Sequence, residues 1–182
     1  MGMENRDVLT FHPVEHPDPR VQRVGFDLTD PYVEFCWGPV VGPTATLLLR
    51  RLPVLWVERV PATITHGKLA RSLGLGAGAG ENSRLMRTID RLVLFRFAQR
   101  DTDRTINVYR QAPPLGTRQL ERLPEWSVGT HQRLLNAHIH NLGERDNSAD
   151  RVATITPRLD RLQRPATLEP TAPTTPLRVI ER

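Results

Sequence analysis

One segment of the sequence groups side chains that could bind a polyanion. On a helical wheel its polar residues share one face: Arg84, Arg87, Thr88 and Arg91. Its apolar residues fall nearly opposite: Leu85, Met86, Ile89, Leu92 and Val93. A guanidinium group can donate paired hydrogen bonds to O6 and N7 of guanine, or clamp a phosphate. The segment therefore predicts an amphipathic helix, capped by Asn82 or Ser83 and ending near Phe95, with three arginines on its exposed face.

A β-hairpin is predicted directly after this helix. Residues 95–100 and 104–110 are rich enough in β-branched and aromatic side chains to form strands, with Asp101–Asp103 as the turn. The two aspartates would repel phosphates, so the hairpin tip alone is not expected to bind a phosphate backbone. Basic residues around the helix and hairpin are expected to contact phosphates: Lys68, Arg71, Arg96, Arg100 and Arg104.

Short helices and a strand are predicted before the arginine-bearing helix, and further helices after the hairpin. The predicted elements before it are a helix over Tyr32–Trp37, a helix from about Thr44 that stops or bends at Pro53, a strand within 54–64, and a helix over His66–Leu73 capped by Thr65. A glycine-rich turn over 74–80 follows. The later helices cover about Thr117–Leu123 and Val128–Asn141.

The order of these elements resembles that of the winged helix-turn-helix family, and the segment from Tyr32 to Leu123 is similar to a group of small actinobacterial winged-helix proteins. The resemblance is carried by four motifs: Gly42-Pro43-Thr44-Ala45-Thr46, Leu73-Gly74-Leu75-Gly76, Asn82-Ser83 and Gln119-Leu120-Glu121-Arg122-Leu123-Pro124. It implies a mainly α fold with a small β-hairpin, in which the third helix enters the DNA major groove and the hairpin forms the wing. Winged helices also serve as protein-docking modules, so the resemblance leaves both uses open.

Composition places this domain between two polar ends. We expect residues 1–25 to form a flexible arm, 26–142 a winged-helix domain with flanking helices, and 143–182 a disordered tail rich in Arg, Pro and Thr. The chain of 182 residues has a formal net charge of +5. Seven basic and two acidic residues lie between positions 61 and 100, so the positive excess is concentrated around the arginine-bearing helix.

Several other classes of protein are not expected. A single cysteine, Cys36, excludes an intramolecular disulfide framework, and no apolar run approaches the ~20 residues of a membrane span. Without a signal-peptide pattern the protein is expected in the cytoplasm. The alternating glycines of 74–80 miss the spacing of a dinucleotide-binding loop, the histidines lack the partners of a metal site, and Ser83 and Thr88 have no His/Asp constellation. We therefore expect no cofactor, no metal and no catalysis.

The sequence thus favours a protein that binds double-stranded DNA, as a transcriptional regulator or a mobile-element accessory factor. Two alternatives remain open: a non-catalytic protein-interaction module within a larger complex, and an RNA- or ribosome-associated factor. A second copy of the chain is another candidate partner, because Leu134, Leu135 and Ile139 form an apolar stripe that could serve as a dimer surface.

Overall fold

The computed structural model describes residues 7–76, 80 and 82–163, with side chains described as far as residue 149. Within this part the chain is mainly helical with a small sheet, as the sequence predicts. The helices are α1 (Pro19–Val24), α2 (Gly38–Val41), α3 (Pro43–Glu58), α4 (His66–Ser72), α5 (Arg84–Leu94), α6 (Thr117–Leu120) and α7 (Glu125–Gln163), with a π-helical turn over Val33–Trp37. The strands are β1 (Val8–Val14), β2 (Phe26–Asp27), β3 (Ala62–Thr65), β4 (Ala98–Arg100), β5 (Thr105–Tyr109) and β6 (Gln111–Ala112). The described residues up to Leu142 form one compact unit.

The main sheet has four strands in the order β3-β1-β5-β4. Strand β1 is antiparallel to β3 and parallel to β5, so that Phe11 lies opposite Ala62 on one side and Ile106 on the other. Strands β4 and β5 form the antiparallel hairpin expected from the sequence. A separate two-stranded sheet pairs β2 with β6.

The N-terminal segment differs from the flexible arm predicted for residues 1–25. Residues 8–14 form a strand inside the sheet, and Pro19–Val24 form a helix. Leu9 and Phe11 alternate with more exposed neighbours and are buried, which is the pattern of a half-buried strand. The part of the predicted arm before residue 7 lies outside the described residues.

Helix α3 continues past the proline at which the sequence predicts a stop or bend. Pro53 removes one intrahelical hydrogen bond, yet the helix extends to Glu58. Leu48, Leu49 and Leu52 are fully buried on its core side. Beyond the proline, the indole N–H of Trp56 donates to the carbonyl of Phe11 at 3.1 Å and ties the last turn to β1. Tertiary contacts therefore offset the local cost of Pro53.

The helix pair α4 and α5 begins where the sequence predicts. Thr65 Oγ1 accepts from the backbone N–H of Lys68, and Ser83 Oγ accepts from that of Met86, so both side chains are N-caps. The starts of the two helices are further linked, since Nε2 of His66, the first residue of α4, lies 2.8 Å from Ser83 Oγ. Of the glycine-rich turn between the helices, residues 77–79 lie outside the described residues.

The C-terminal helix is longer than predicted. Helix α7 runs from Glu125 to Gln163, whereas the sequence predicts a helix over 128–141 and disorder from 143 onwards. Gly143 disfavours a helix by only ~1 kcal/mol relative to alanine, and no proline interrupts α7 before Pro157, which lies within its last two turns. Residues 164–182 of the predicted tail lie outside the described residues. In the described part of the chain, no helix is both long enough and apolar enough to cross a membrane.

Candidate nucleic-acid interface

Helix α5 is amphipathic in the way the sequence predicts. Its apolar face is buried, with Leu85, Ile89 and Leu92 at 1% exposure or less, and the helix packs against α3, α4 and β4. Arg84, Arg87 and Arg91 lie on the opposite, exposed side. The buried face fixes the direction in which the arginines project.

Two of these arginines are unneutralised within the described part of the chain. In that part of the chain, the guanidinium groups of Arg84 and Arg87 make no ion pair and no hydrogen bond. The ion pairs that the structure does record join Arg20 to Asp18, Arg50 to Glu34, Arg100 to Asp90 and Arg110 to Glu15. The one acidic residue of α5, Asp90, is therefore used by the hairpin rather than by its own helix.

An open cleft of about 470 Å³ lies beside these arginines. Arg84, Arg87 and Arg91 line it from α5, and residues 41–45 of the α2–α3 turn line it from the other side. Gly42 joins the two helices at φ +86°, a conformation that favours glycine. The carbonyl of Gly42 accepts from both the N–H and the Oγ1 of Thr46, which holds the turn in shape.

Thr88 is not the free surface hydroxyl that the helical wheel suggests. It is only 8% exposed, and its Oγ1 donates to the carbonyl of Arg84 at 2.8 Å. The side chain lines the inner part of the cleft. Its hydroxyl proton is therefore used within α5 and is not directed to the surface.

Arg91 is likewise not the free guanidinium that was expected. Its Nε donates to the carbonyl of Val41, and an Nη donates to the carbonyl of Val40 at 3.1 Å. The guanidinium carbon also lies 5.3 Å from the centre of the Phe95 ring, within cation–π range. Two of the three arginines of the predicted reading face are thus free, and the third joins α5 to the end of α2.

The five expected phosphate-binding residues fall into different environments. Lys68 and Arg104 are exposed and have no ion pair among the described residues. Arg71 is exposed, although its Nε donates to the carbonyl of Gly67 at 3.3 Å. Arg96 is exposed at φ +58°, at the end of α5. Arg100 differs, because it forms an ion pair of 2.6 Å with Asp90 and donates to the carbonyl of Asp103, so its charge is largely compensated.

The far wall of the cleft is the part of the site that the sequence did not identify. In the sequence, Gly42, Pro43 and Thr44 belong only to a motif of the winged-helix resemblance, yet they line the cleft opposite the arginines. The Gly-Pro pair at the start of a helix was the available signal. Nothing in the sequence indicated that this turn would lie next to a helix that begins some 40 residues later.

The candidate metal-ligating and thiol side chains of the described residues are arranged as follows. No group of three or more His, Cys, Asp or Glu side chains there is arranged to hold a metal ion. Cys36 is buried, and burial raises the pKa of its thiol to about 11, so that it stays protonated at neutral pH.

Comparison with known proteins adds little to this picture. No family model matches the chain, and no curated protein matches it either. Among solved structures, the chain is similar to residues 1–300 of the primosome protein DnaB from Geobacillus stearothermophilus, with 17% identity and a TM-score of 0.37. The similarity covers 78% of this chain and 50% of that one. At this TM-score the likeness supports no conclusion about fold or function.

Proposed function

We propose that this chain binds double-stranded DNA through the first turns of α5, within a winged helix-turn-helix arrangement. The observation that carries the proposal is the pair Arg84 and Arg87. Both are exposed beside an open cleft, neither has an acidic partner among the described residues, and both lie on a helix whose opposite face is buried. Unpaired guanidinium groups on a rigid helix are suited to guanine edges and phosphates.

The order of elements supports the same proposal. Helix α3, strand β3, helices α4 and α5 and the β4–β5 hairpin follow one another as helix, strand, helix, turn, helix and hairpin. In a helix-turn-helix the N-terminal residues of the second helix contact the bases, while the first helix crosses the DNA backbone. Arg84 and Arg87 occupy the first and fourth positions of α5.

The surrounding basic residues fit a supporting role at the phosphate backbone. Lys68 and Arg71 project from α4, the helix that precedes the turn. Arg96 lies before β4 and Arg104 lies in the hairpin turn directly before β5, whereas Arg100 forms its ion pair with Asp90. The regulatory role, as a transcriptional regulator or mobile-element accessory factor, is part of this proposal.

One observation favours a second candidate, a protein-interaction module. Val57 is 87% exposed and Leu94 is 75% exposed, and Val54 and Val60 are also exposed. Val54 and Val57 are neighbours on one face of α3, three positions apart, and contiguous exposed apolar side chains mark docking surfaces. A partner protein at these positions is compatible with DNA binding at α5.

The affinity of the protein for a fluorescent DNA duplex, measured by anisotropy, tests the proposal. The double variant Arg84→Ala/Arg87→Ala should bind at least about fivefold more weakly per arginine, because a paired guanidinium contact discriminates by ~1–3 kcal/mol. The control Arg118→Ala/Arg122→Ala removes the same charge from exposed positions after the hairpin and should bind nearly as the wild type does.

Competition distinguishes the remaining alternatives. An unlabelled DNA duplex should displace the probe at lower concentration than duplex or single-stranded RNA. Equal affinity of the double variant and the control would contradict the assignment to α5. Stronger competition by RNA would favour an RNA-associated factor instead.

A further inference from the structure

Arg91 lies on the same side of α5 as the free arginines but makes different contacts. Arg87 precedes it by four positions and Arg84 by seven, so the three form one row on the helix. Only Arg91 reaches across to α2, where its Nε and Nη donate to the carbonyls of Val41 and Val40. This Nε–Nη edge is one of the edges with which arginine binds a phosphate in a paired fashion.

The carbonyls that Arg91 binds are groups that need a partner. Helix α2 has four residues and ends at Val41, and the last carbonyls of a helix have no intrahelical donor. The helix dipole adds partial negative charge at that end, which favours a cation. The next residues, Gly42 and Pro43, turn the chain into α3, and Pro43 has no N–H to offer. The guanidinium of Arg91 therefore completes the end of α2.

These bonds also connect the two walls of the cleft. One wall is α5 with Arg84 and Arg87, and the other is the turn over residues 41–45. Arg91 is the side chain that joins the two walls by hydrogen bonds. Its ring contact with Phe95 fixes the guanidinium from the α5 side.

We propose that Arg91 is a positioning residue for DNA binding, which holds the α2–α3 turn against α5 and thereby places Arg84 and Arg87, rather than itself binding a phosphate. This inference rests on the proposed function, since it assigns roles within the same site. It divides the row of arginines into two that contact the nucleic acid and one that orders the protein.

The salt dependence of duplex affinity separates these two roles. A residue that neutralises a phosphate contributes about 0.9 to the slope of log affinity against log salt concentration, whereas a positioning residue contributes nothing to it. The slopes are compared for the wild type, Arg87→Ala, Arg91→Ala and the charge-matched control Arg118→Ala. All are measured at a temperature at which circular dichroism shows the variants fully folded, so that a loss of stability alone does not change the affinity.

We expect Arg91→Ala to lower the affinity about tenfold, as the loss of charge-assisted hydrogen bonds would, with the slope of the Arg118→Ala control. Arg87→Ala should lower both the affinity and the slope. If Arg91→Ala reduces the slope as Arg87→Ala does, Arg91 binds a phosphate and the inference is wrong. Unchanged affinity of Arg91→Ala would also overturn it.

Arg91→Lys provides the decisive test if Arg91→Ala does not fold. A lysine keeps the charge but cannot span both carbonyls with a planar edge, so a positioning role predicts an affinity reduced about threefold. Wild-type affinity of Arg91→Lys would instead indicate a simple phosphate contact. If the wild-type protein itself shows no duplex binding, the proposed function fails and this inference fails with it. If the wild type binds and only the Arg91 results disagree, the inference alone is refuted.

Discussion

Tyr32 and His131 illustrate how single residues hold the interior of this protein together. Tyr32 Oη accepts from the backbone N–H of Leu115 at 2.9 Å and lies 2.6 Å from His131 Nδ1. The ring of Tyr32 stacks on Phe26 with 3.7 Å between centroids. Because the hydroxyl has one proton and already accepts from Leu115, a neutral His131 is the natural acceptor of that proton. The pair joins the start of α7 to the core.

Acid should weaken this connection. His131 is 5% exposed, and burial lowers the pKa of its imidazole. The unfolded chain, with an imidazole pKa of about 6.5, therefore takes up the proton first as the pH falls. The stabilisation is complete above about pH 6.5 and is lost as the pH falls through the lower pKa of the folded state. Protonated His131 also has no lone pair at Nδ1 for the Tyr32 hydroxyl.

Urea unfolding across this range measures the effect. The free energy of unfolding of the wild type should decrease between about pH 7 and about pH 5, and the decrease should be smaller for His131→Gln, which keeps an acceptor but does not titrate. Identical pH profiles for the two proteins would show that His131 is not responsible.

The sequence was least informative about the roles of single side chains in the site. The helical wheel placed Arg84, Arg87, Thr88 and Arg91 together and gave each the same role. It could not show that Thr88 would be buried, or that the carbonyls of Val40 and Val41 would bind Arg91. Periodicity gives the face of a helix, whereas the neighbours of that face come from distant parts of the chain.

At the scale of elements, the side chains of Ser83 and His66 connect the start of α5 to α4. Ser83 Oγ accepts from Met86 N–H at 3.2 Å and lies 2.8 Å from His66 Nε2. The other ring nitrogen of His66 is buried without a hydrogen-bond partner among the described residues. Ser83 therefore serves both as N-cap of α5 and as the recorded hydrogen-bond partner of the His66 ring.

Ser83→Ala should destabilise the protein by about 1–3 kcal/mol, the cost of a lost N-cap together with an unsatisfied buried imidazole. Ser72→Ala is the matched control, because the exposed Ser72 hydroxyl donates only to the carbonyl of Leu69 in its own helix. That change should stay within about 0.5 kcal/mol. Chemical denaturation gives both values, and equal effects of the two changes would refute the role of Ser83.

The elements that the sequence predicted are those with local signals. Thr65 and Ser83 mark helix starts, and the hairpin has a polar turn between two β-rich runs. Strand β1 was not predicted, because His12 and Pro13 interrupt its alternation and its partners lie on β3 and β5, far along the chain. The same reason applies to α3, where contacts of Trp56 with β1 overcome the local signal of Pro53.

At the scale of the whole molecule, the charge distribution and the fold agree. The positive excess of residues 61–100 is carried by α4, α5 and the start of the hairpin, elements that are consecutive and in contact with their neighbours. A concentrated patch of this kind attracts polyanions although the net charge of the chain is only +5. The ion pair between Arg100 and Asp90 reduces the positive charge on the hairpin side, whereas Arg84 and Arg87 at the start of α5 have no ion pair among the described residues.

Arginine footprinting of the wild-type protein tests the central claim most directly, because it needs no substitution. The protein is treated with a dicarbonyl reagent that modifies accessible guanidinium groups, with and without a saturating DNA duplex, and the modified peptides are quantified by mass spectrometry. The account predicts that Arg84 and Arg87 react freely in the absence of DNA and are protected in its presence, while Arg118 and Arg122 remain equally reactive in both. Undiminished reactivity of Arg84 and Arg87 at saturating duplex would contradict it.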